Sequence, residues 1–189
     1  MDKTYADTVR LLLAVAPDVF ANDIFAMKGG TAINLFVRDM PRLSVDIDVV
    51  YLPWQTPRDE ALQAINQELA AIATRVAPLG VQTRLVRAKD LGDTKLIVEN
   101  DANQMKIEVN VVFRGSVLPV ERRPLSARTS DLFGVEFELP VLAPDELYAS
   151  KLVAALDRQH PRDLFDVWQL YESGDLGDGM VECFVIYLA

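Results

Sequence analysis

One cysteine and one histidine in 189 residues rule out several kinds of chemistry at once. Cys183 has no second cysteine to pair with, and together with His160 it falls short of a structural zinc site. No apolar run approaches the length of a bilayer span. Met1-Asp2-Lys3-Thr4-Tyr5 lacks the basic and apolar blocks of a signal peptide, so the expected compartment is the cytoplasm, with no membrane partner. Positive charge is also short. Lys and Arg number 19 against 28 Asp and Glu, a formal net charge of −9. A general nucleic-acid coat protein, whose affinity comes from neutralising phosphates, is thereby excluded.

What is present is ordinary for a soluble globular chain: 50% hydrophobic and 25% charged residues, enough for one domain or one plus a helical appendage. The charge is uneven. Between Val81 and Arg128 nine Lys and Arg meet six Asp and Glu. That local excess suits a tRNA-sized substrate or a nucleotide, or equally a solvated sheet surface.

Periodicity supplies the elements. Lys3–Val15 carries Tyr5, Val9, Leu12 and Leu13 at helical spacing and should end at Pro17. Ile24–Met27 is a short apolar run, a strand or a helix end. Thr56-Pro57-Arg58-Asp59-Glu60 reads as N-cap, first-turn proline and acidic turn, opening a helix through Leu62, Ile65, Leu69, Ile72 and Val76 that stops at Pro78-Leu79-Gly80. Val81–Arg87, Lys95–Glu99 and Gln104–Phe113 read as a meander of strands, with Gly92-Asp93 and 100–103 as turns. Val117–Arg128 reads as connection and Phe133–Leu139 as one more strand, stopped by Pro140. Helices follow at Asp145–Leu156 and Arg162–Glu172, closed by Gly174. Met180–Ala189 has helical spacing at Val181, Phe184, Val185 and Leu188, then stops without a cap.

The chemistry concentrates in Lys28–Val50. Ser44-Val45-Asp46-Ile47-Asp48-Val49-Val50 alternates as a half-buried strand does, so Ser44, Asp46 and Asp48 share one face and Val45, Ile47 and Val49 the other. Neighbouring carboxylates repel, and a divalent cation with oxygen ligands removes the repulsion. Upstream, Gly29-Gly30-Thr31 opens a helix-like run, Ala32–Val37. Glycines there let a phosphate approach the backbone, whose N–H groups attract it. Thr31 and Ser44 are candidate phosphate-binding hydroxyls.

Gly-Gly-Thr followed by an Asp-x-Asp strand resembles the nucleotidyltransferase superfold. The fuller strings Lys-Gly-Gly-Thr-Ala and Arg-Leu-Ser-Val-Asp-Ile-Asp are similar to one branch of it. That branch is the AbiEii/AbiGii toxin family, the toxin half of type IV toxin–antitoxin pairs, which includes the MenT toxins. The resemblance runs from Met27 to Glu172. It implies an α/β (α+β) fold: a mixed sheet with flanking helices over residues 1–140, then a helical C-terminal part, 141–189. Family members continue for another helical section, so the sequence reads as a shortened form.

Further positions follow from the resemblance. Glu108, in the alternating strand Lys106–Phe113, matches the third carboxylate of the superfold, on the face with Lys106 and Asn110 and opposite Ile107, Val109, Val111 and Phe113. It would complete a metal set with Asp46 and Asp48 and help deprotonate the nucleophile; the alternative is a solvent-facing residue paired with Lys106. Lys151, beside the apolar stripe of Leu147, Leu152 and Leu156, matches a lysine that faces the nucleotide phosphates, or else snorkels at the helix edge. In Arg162-Asp163-Leu164-Phe165-Asp166, Asp163 matches the active-site member, positioning Lys151 or a metal-bound water. Asp166 is the structural partner, to an arginine for instance, while Leu164, Val167 and Trp168 pack inward. His160 reads as a polar loop residue and Trp54 and Trp168 as packing.

The activity implied is Mg²⁺- or Mn²⁺-dependent transfer of a nucleotide from an NTP to a hydroxyl of RNA, the tRNA 3′ end, blocking translation. The implied partner is an antitoxin with a winged-helix DNA-binding portion. A protein-modifying (AMPylating) transferase and a catalytically weak NTP-binding module are the alternatives.

Overall fold

The computed structural model describes residues 2–88, 92–174 and 177–189. Helix α1 (Lys3–Val19) opens on Asp2, whose carboxylate accepts the Tyr5 N–H at 3.1 Å. It runs past Pro17 rather than ending there. On the exposed side of the last turn the proline forgoes little, whereas Val19 and Phe20 are buried. The Phe20 N–H closes the helix on the Ala16 carbonyl at 3.3 Å.

The apolar run before the glycines is a strand, β1 (Phe25–Lys28), leading into one helical turn, α2 (Gly29–Ala32), and a π-turn over Ile33–Val37. Strand β2 (Ile47–Tyr51) begins three residues later than the alternation suggested, so Ser44 and Asp46 lie on its extended approach. In α3 (Arg58–Val76) Pro57 takes the cap position and no side chain caps the helix, so Thr56 does not serve as N-cap. Its buried face holds Ile65, Leu69, Ile72 and Val76, and also Glu68, whose carboxylate takes hydrogen bonds from Arg75 and Asn22.

Strands β3 (Gln82–Ala88), β4 (Gly92–Glu99) and β5 (Gln104–Asn110) form the expected antiparallel meander. Gly92 and Asp93 belong to β4, paired with Ala88 and Arg87, and not to a turn; residues 89–91 lie outside the described residues. Strand β5 stops at Asn110 because its side-chain oxygen accepts the N–H groups of Val112 and Phe113, at 3.0 and 3.1 Å. Phe113 therefore leaves the core face assigned to it and meets Tyr187 edge-on, with ring centroids 4.8 Å apart.

The stretch read as connection contains an edge strand, β6 (Glu121–Pro124), and the start of α4 (Ala127–Phe133), capped by Ser126. The next strand, β7 (Glu138–Val141), is displaced from Phe133–Leu139 and includes Pro140. Its ladder to β1 is a single register pair, Met27–Val141, so a missing N–H costs it little. Helices α5 (Pro144–Arg158), α6 (Pro161–Ser173) and α7 (Asp178–Leu188) complete the chain.

Among the described residues the sheet has seven strands, in the order β3-β4-β5-β2-β1-β7-β6. The β2–β5 and β1–β7 pairs are parallel and the others antiparallel. Helices α1 and α3 pack on each other and on the meander, while α5 packs on α2, α6 and α7. The fold is a mixed α/β sheet with flanking helices, and its centre is Leu12, Phe25, Met27, Leu35, Ile47 and Ile107, all fully buried.

Helix α6 is turned the other way from the sequence reading. Asp163, Asp166 and Leu170 face inward, while Leu164 and Trp168 are each 51% exposed and Tyr171 is 72% exposed. Two cations fix this orientation, because leaving buried Lys151 or Arg42 without a carboxylate costs more than wetting a leucine and half a tryptophan. Trp54 is likewise an exposed residue. Leu156, expected on the apolar side of α5, is also exposed, since five residues from Leu147 to Leu152 rotate the stripe off one face. In α7 the buried residues are Met180 and Cys183, and Val181, Val185 and Leu188 point outward. Leu164→Ser and Trp168→Ser should each leave the free energy of unfolding within about 0.5 kcal/mol of the parent in urea titration. A loss of about 2 kcal/mol from either, as for a core residue, would restore the inward-facing helix.

Candidate active site

Register builds the site. Lys28 on β1 lies opposite Asp48 on β2, Asp48 lies beside Glu108 on β5, and Glu108 lies opposite Lys95 on β4. In-register residues of adjacent strands share a face. Four strands thus present one polar row with the signs plus, minus, minus, plus. Asp46 and Lys106, each two residues before a row member, flank it.

Three lysine contacts hold two of the carboxylates. Lys95 Nζ lies 2.9 Å from Glu108, and Lys106 Nζ lies 3.3 Å from Glu108 and 3.5 Å from Asp46. Burial pushes the Glu108 carboxyl up, but hydrogen bonds from Lys95 and Lys106 outweigh it and hold its pKa below the usual range. Asp48 has no such partner among the described residues. Burial first, then the charges of Asp46 and Glu108, drives its pKa up to about 6 despite Lys151 and Lys28 nearby.

Helices α5 and α6 supply the opposite wall. Lys151, 7% exposed, donates to Asp163 at 2.7 Å and lies 3.3 Å from Asp166. It does not snorkel. Arg158 donates to both Asp163 oxygens, at 2.7 and 3.1 Å. Burial opposes the Asp163 charge, and the bonds from Arg158 and Lys151 still keep that carboxyl below its ordinary value. Asp166 takes both arms of Arg42, at 2.6 and 2.7 Å, the fork geometry that favours arginine. His160 caps α6, its Nδ1 accepting the Arg162 N–H at 3.1 Å.

A cleft of about 530 Å³ lies between the two walls, lined by Lys28, Gly29, Asp48, Glu108, Lys151 and Arg158 at its charged end. At its other end are Val111, Val112, Phe113 and Tyr187. Tyr187 is anchored by donating to Glu146, which also accepts the N–H groups of Val117 and Leu118. Burial and the Glu146 charge push the Tyr187 hydroxyl well above its ordinary pKa.

The structure brings Gly29, Asp48, Glu108 and Lys151 to the cleft, while Asp163 stands behind Lys151. Gly30, Thr31 and Ser44 do not line it. A Cβ on Gly30 would fall 2.1 Å from Arg42 Nη2, so the guanidinium covers this glycine. The buried Thr31 hydroxyl meets that of Ser44 at 2.8 Å. Gly30 makes room for Arg42, while Thr31 and Ser44 bond each other. Gly29, with φ +79°, has Asp48 against it: a Cβ there would lie 2.4 Å from Asp48 Oδ2. The sequence reading missed Lys28 and Arg158. Lys28 was legible only as the residue that heads the Lys-Gly-Gly-Thr string.

Among the described residues no group of three or more His, Cys, Asp or Glu is arranged around a metal position. The charges nevertheless fit a cation: Asp48 lies half-buried beside two like charges with no ion pair of its own among the described residues. The three carboxylates do not converge, because Lys95 and Lys106 draw Glu108 and Asp46 to themselves. No helix among the described residues is long and apolar enough to cross a membrane.

The fold has counterparts among solved structures. The chain is similar in fold to MenT4, a nucleotidyltransferase toxin from Mycobacterium tuberculosis H37Rv, with TM-score 0.64 and 20% identity over 98% of this chain. It spans 66% of that protein's length. The antibiotic-resistance factor ANT(2″)-Ia shares the fold at TM-score 0.55 and 14% identity, over 99% of this chain and 92% of that one. No curated protein matches the sequence significantly. The sequence profile described as nucleotidyl transferase AbiEii toxin, type IV TA system, matches residues 10–189, and the chain belongs to that family.

Proposed function

We propose that this protein transfers a nucleotide from an NTP to an RNA hydroxyl, with the 3′ end of tRNA as acceptor, and that it does so with a divalent metal ion. The observation that carries the reading is Asp48: a carboxylate without an ion pair, repelled by Asp46 and Glu108 and faced by Lys28, Lys151 and Arg158 across one cleft. Asp46 and Asp48 would hold Mg²⁺ or Mn²⁺, with Glu108 beside them. Such an ion, when bound, neutralises the carboxylates and polarises a phosphate oxygen.

The chain's own residues do the rest. Lys151, kept in place by Asp163, presents positive charge to the phosphates, and Arg158 adds a second cation at the rim. Glu108 faces the acceptor hydroxyl and helps take its proton. Arg42 and Asp166 hold α6 against α2 and set the position of Lys151. An antitoxin encoded as the partner, with a winged-helix DNA-binding portion, fits the family's type IV systems.

The test is a transfer assay with purified protein, Mg²⁺, each labelled NTP in turn and total tRNA, beside Asp48→Ala. Label on RNA with the parent and not the variant is the expected result, and it names the base. Label on the protein itself would make this a protein-modifying transferase. Nucleotide bound without transfer would make it a binding module.

A further inference from the structure

The uncharged end of the cleft opens onto apolar surface that packing within the chain leaves uncovered. Val112 is 81% exposed, Phe113 40% and Trp54 62%. None of the three stands on a loose loop. The Asn110 side chain holds the turn that carries Val112 and Phe113, and Tyr187 braces the Phe113 ring. The Gly115 N–H donates to the Tyr51 carbonyl at 2.7 Å, and Arg114 donates to the Thr56 carbonyl at 2.6 Å. Trp54 lies between those two anchor points in sequence and packs against Gly115. A Cβ on that glycine, whose φ is +81°, would fall 2.8 Å from Trp54 Cβ. The backbone thus holds an indole in place while most of it stays in water, and fixed exposed apolar groups beside a cleft mark a binding surface.

Position and charge identify the occupant. Trp54 does not line the cleft, so a ligand that covers it extends out of the mouth. Val112 lies four residues beyond Glu108, at most about 14 Å along the chain. A strand whose last hydroxyl is at Glu108 passes over Val112, Phe113 and Trp54 as it leaves. Backbone charge is a poor handle for such a strand. The chain carries a formal net charge of −9, and the two lysines beside Glu108 already pair with Glu108 and Asp46. Base faces are the other handle, because every base offers one to an aromatic side chain. We infer that Trp54, Val112 and Phe113 form a stacking platform for the unpaired nucleotides at the 3′ end of the acceptor RNA. Its direction rests on the nucleotidyl-transfer reading above, which puts the hydroxyl at Glu108. Stacking of this kind selects an unpaired end rather than a sequence, since a duplex keeps its base faces to itself.

The experiment is fluorescence anisotropy of a labelled single-stranded RNA oligonucleotide, and of the same sequence in a blunt duplex. Each is titrated with the parent, Trp54→Ala, Trp54→Phe and Val112→Ser. The parent should prefer the single strand, and Trp54→Ala should bind it about tenfold more weakly, the loss of one stacked base. Trp54→Phe should restore most of that affinity, with NTP binding and the unfolding midpoint unmoved in both variants. Between about 50 and about 200 mM salt the parent should lose less than about tenfold in affinity, far less than a protein held by phosphate contacts. Equal affinity for strand and duplex, a steep salt dependence, or unchanged RNA binding in Trp54→Ala and Val112→Ser would each overturn the platform. So would a loss of NTP binding that runs parallel to the loss of RNA. Should Trp54→Ala fail to fold, Trp168→Phe leaves Trp54 as the single tryptophan. Its emission should be quenched by the single strand and not by NTP, and an unquenched indole refutes the contact. A parent that binds the strand through these residues but transfers nothing to it keeps the platform and sinks the transferase reading. A parent that transfers, with the KM for RNA unchanged in Trp54→Ala, sinks the platform alone.

Discussion

Asp48→Asn should remove at least about 99% of transfer activity and yet make the metal-free protein more stable. The activity loss follows from deleting the charge on which the proposed cation site depends, where single electrostatic groups are worth about a hundredfold or more. The stability gain follows from linkage. Asp48 is held by burial and by Asp46 and Glu108 at a pKa of about 6, above the 3.8 of a free side chain. The folded state therefore binds the proton more tightly than the unfolded chain does. Below about pH 4 both states are protonated and nothing is lost. Between about pH 4 and 6 the unfolded chain gives up this proton while the folded state keeps it, so stability falls across that window and levels off above it, where the folded state too has ionised. At one pKa unit per 1.36 kcal/mol the cost reaches about 1–3 kcal/mol above pH 7, the lower end allowing for partial solvent access. Urea unfolding in chelator should show the variant ahead by that amount at about pH 8 and level with the parent near pH 4. A variant less stable than the parent at pH 8 would mean that Asp48 is a structural carboxylate.

Asp163 and Asp166 should separate into one residue for activity and one for stability. Asp166→Ala strands Arg42, whose guanidinium is clamped between this carboxylate and Gly30, and takes one of two carboxylates from Lys151. Removing one partner of a buried pair costs about 3–5 kcal/mol. Asp163→Ala leaves Lys151 with Asp166 and releases Arg158 to water, where that arginine is already largely exposed. Its stability cost should be about half as large. Lys151, though, loses its 2.7 Å anchor and its fixed direction into the cleft. We expect transfer to fall about a hundredfold in Asp163→Ala with the fold largely intact, a displacement effect of the size that positioning groups carry. Guanidinium unfolding and the transfer assay, run on both variants, check the two arms. Equal damage in both columns would show that the pair acts as one structural block.

The contacts of these two aspartates were only partly legible in the sequence. Arg-Asp-x-x-Asp puts two carboxylates on one helix face, and the resemblance to the toxin family separated a site residue from a structural one. Nothing local said that Arg42, far back in the chain, would be the arginine. The meander, the α3 stripe and the Asp-x-Asp strand were readable because each is a period repeated several times within one segment. The misreadings share a cause. Pro17 and Pro140 were read as stops, yet tertiary burial of Val19, Phe20, Leu139 and Val141 carries the elements past them. Leu164 and Trp168 were read as core because they are apolar, and the ion pairs of Asp163 and Asp166 turned them out. Phe113 was placed inside by continuing an alternation that the Asn110 side chain interrupts. In each case a contact distant in sequence, or a side chain bonding to backbone, outweighed the periodic signal. The glycines were recognised, but what they accommodate, Asp48 and Arg42, could not be read from them.

The polar row has a consequence for how this protein comes into being. Lys28 and Asp48 emerge first in synthesis, Glu108 after them, and Lys151 and Asp163 last of the five. Strand β1 has β2 on one side and β7 on the other, the second a pairing across more than a hundred residues. Contacts of that span form late, after the loop between them has been closed. A nascent chain still attached to its ribosome therefore has acidic strands without the facing lysine wall. The cleft is therefore not assembled until α5 and α6 have been made.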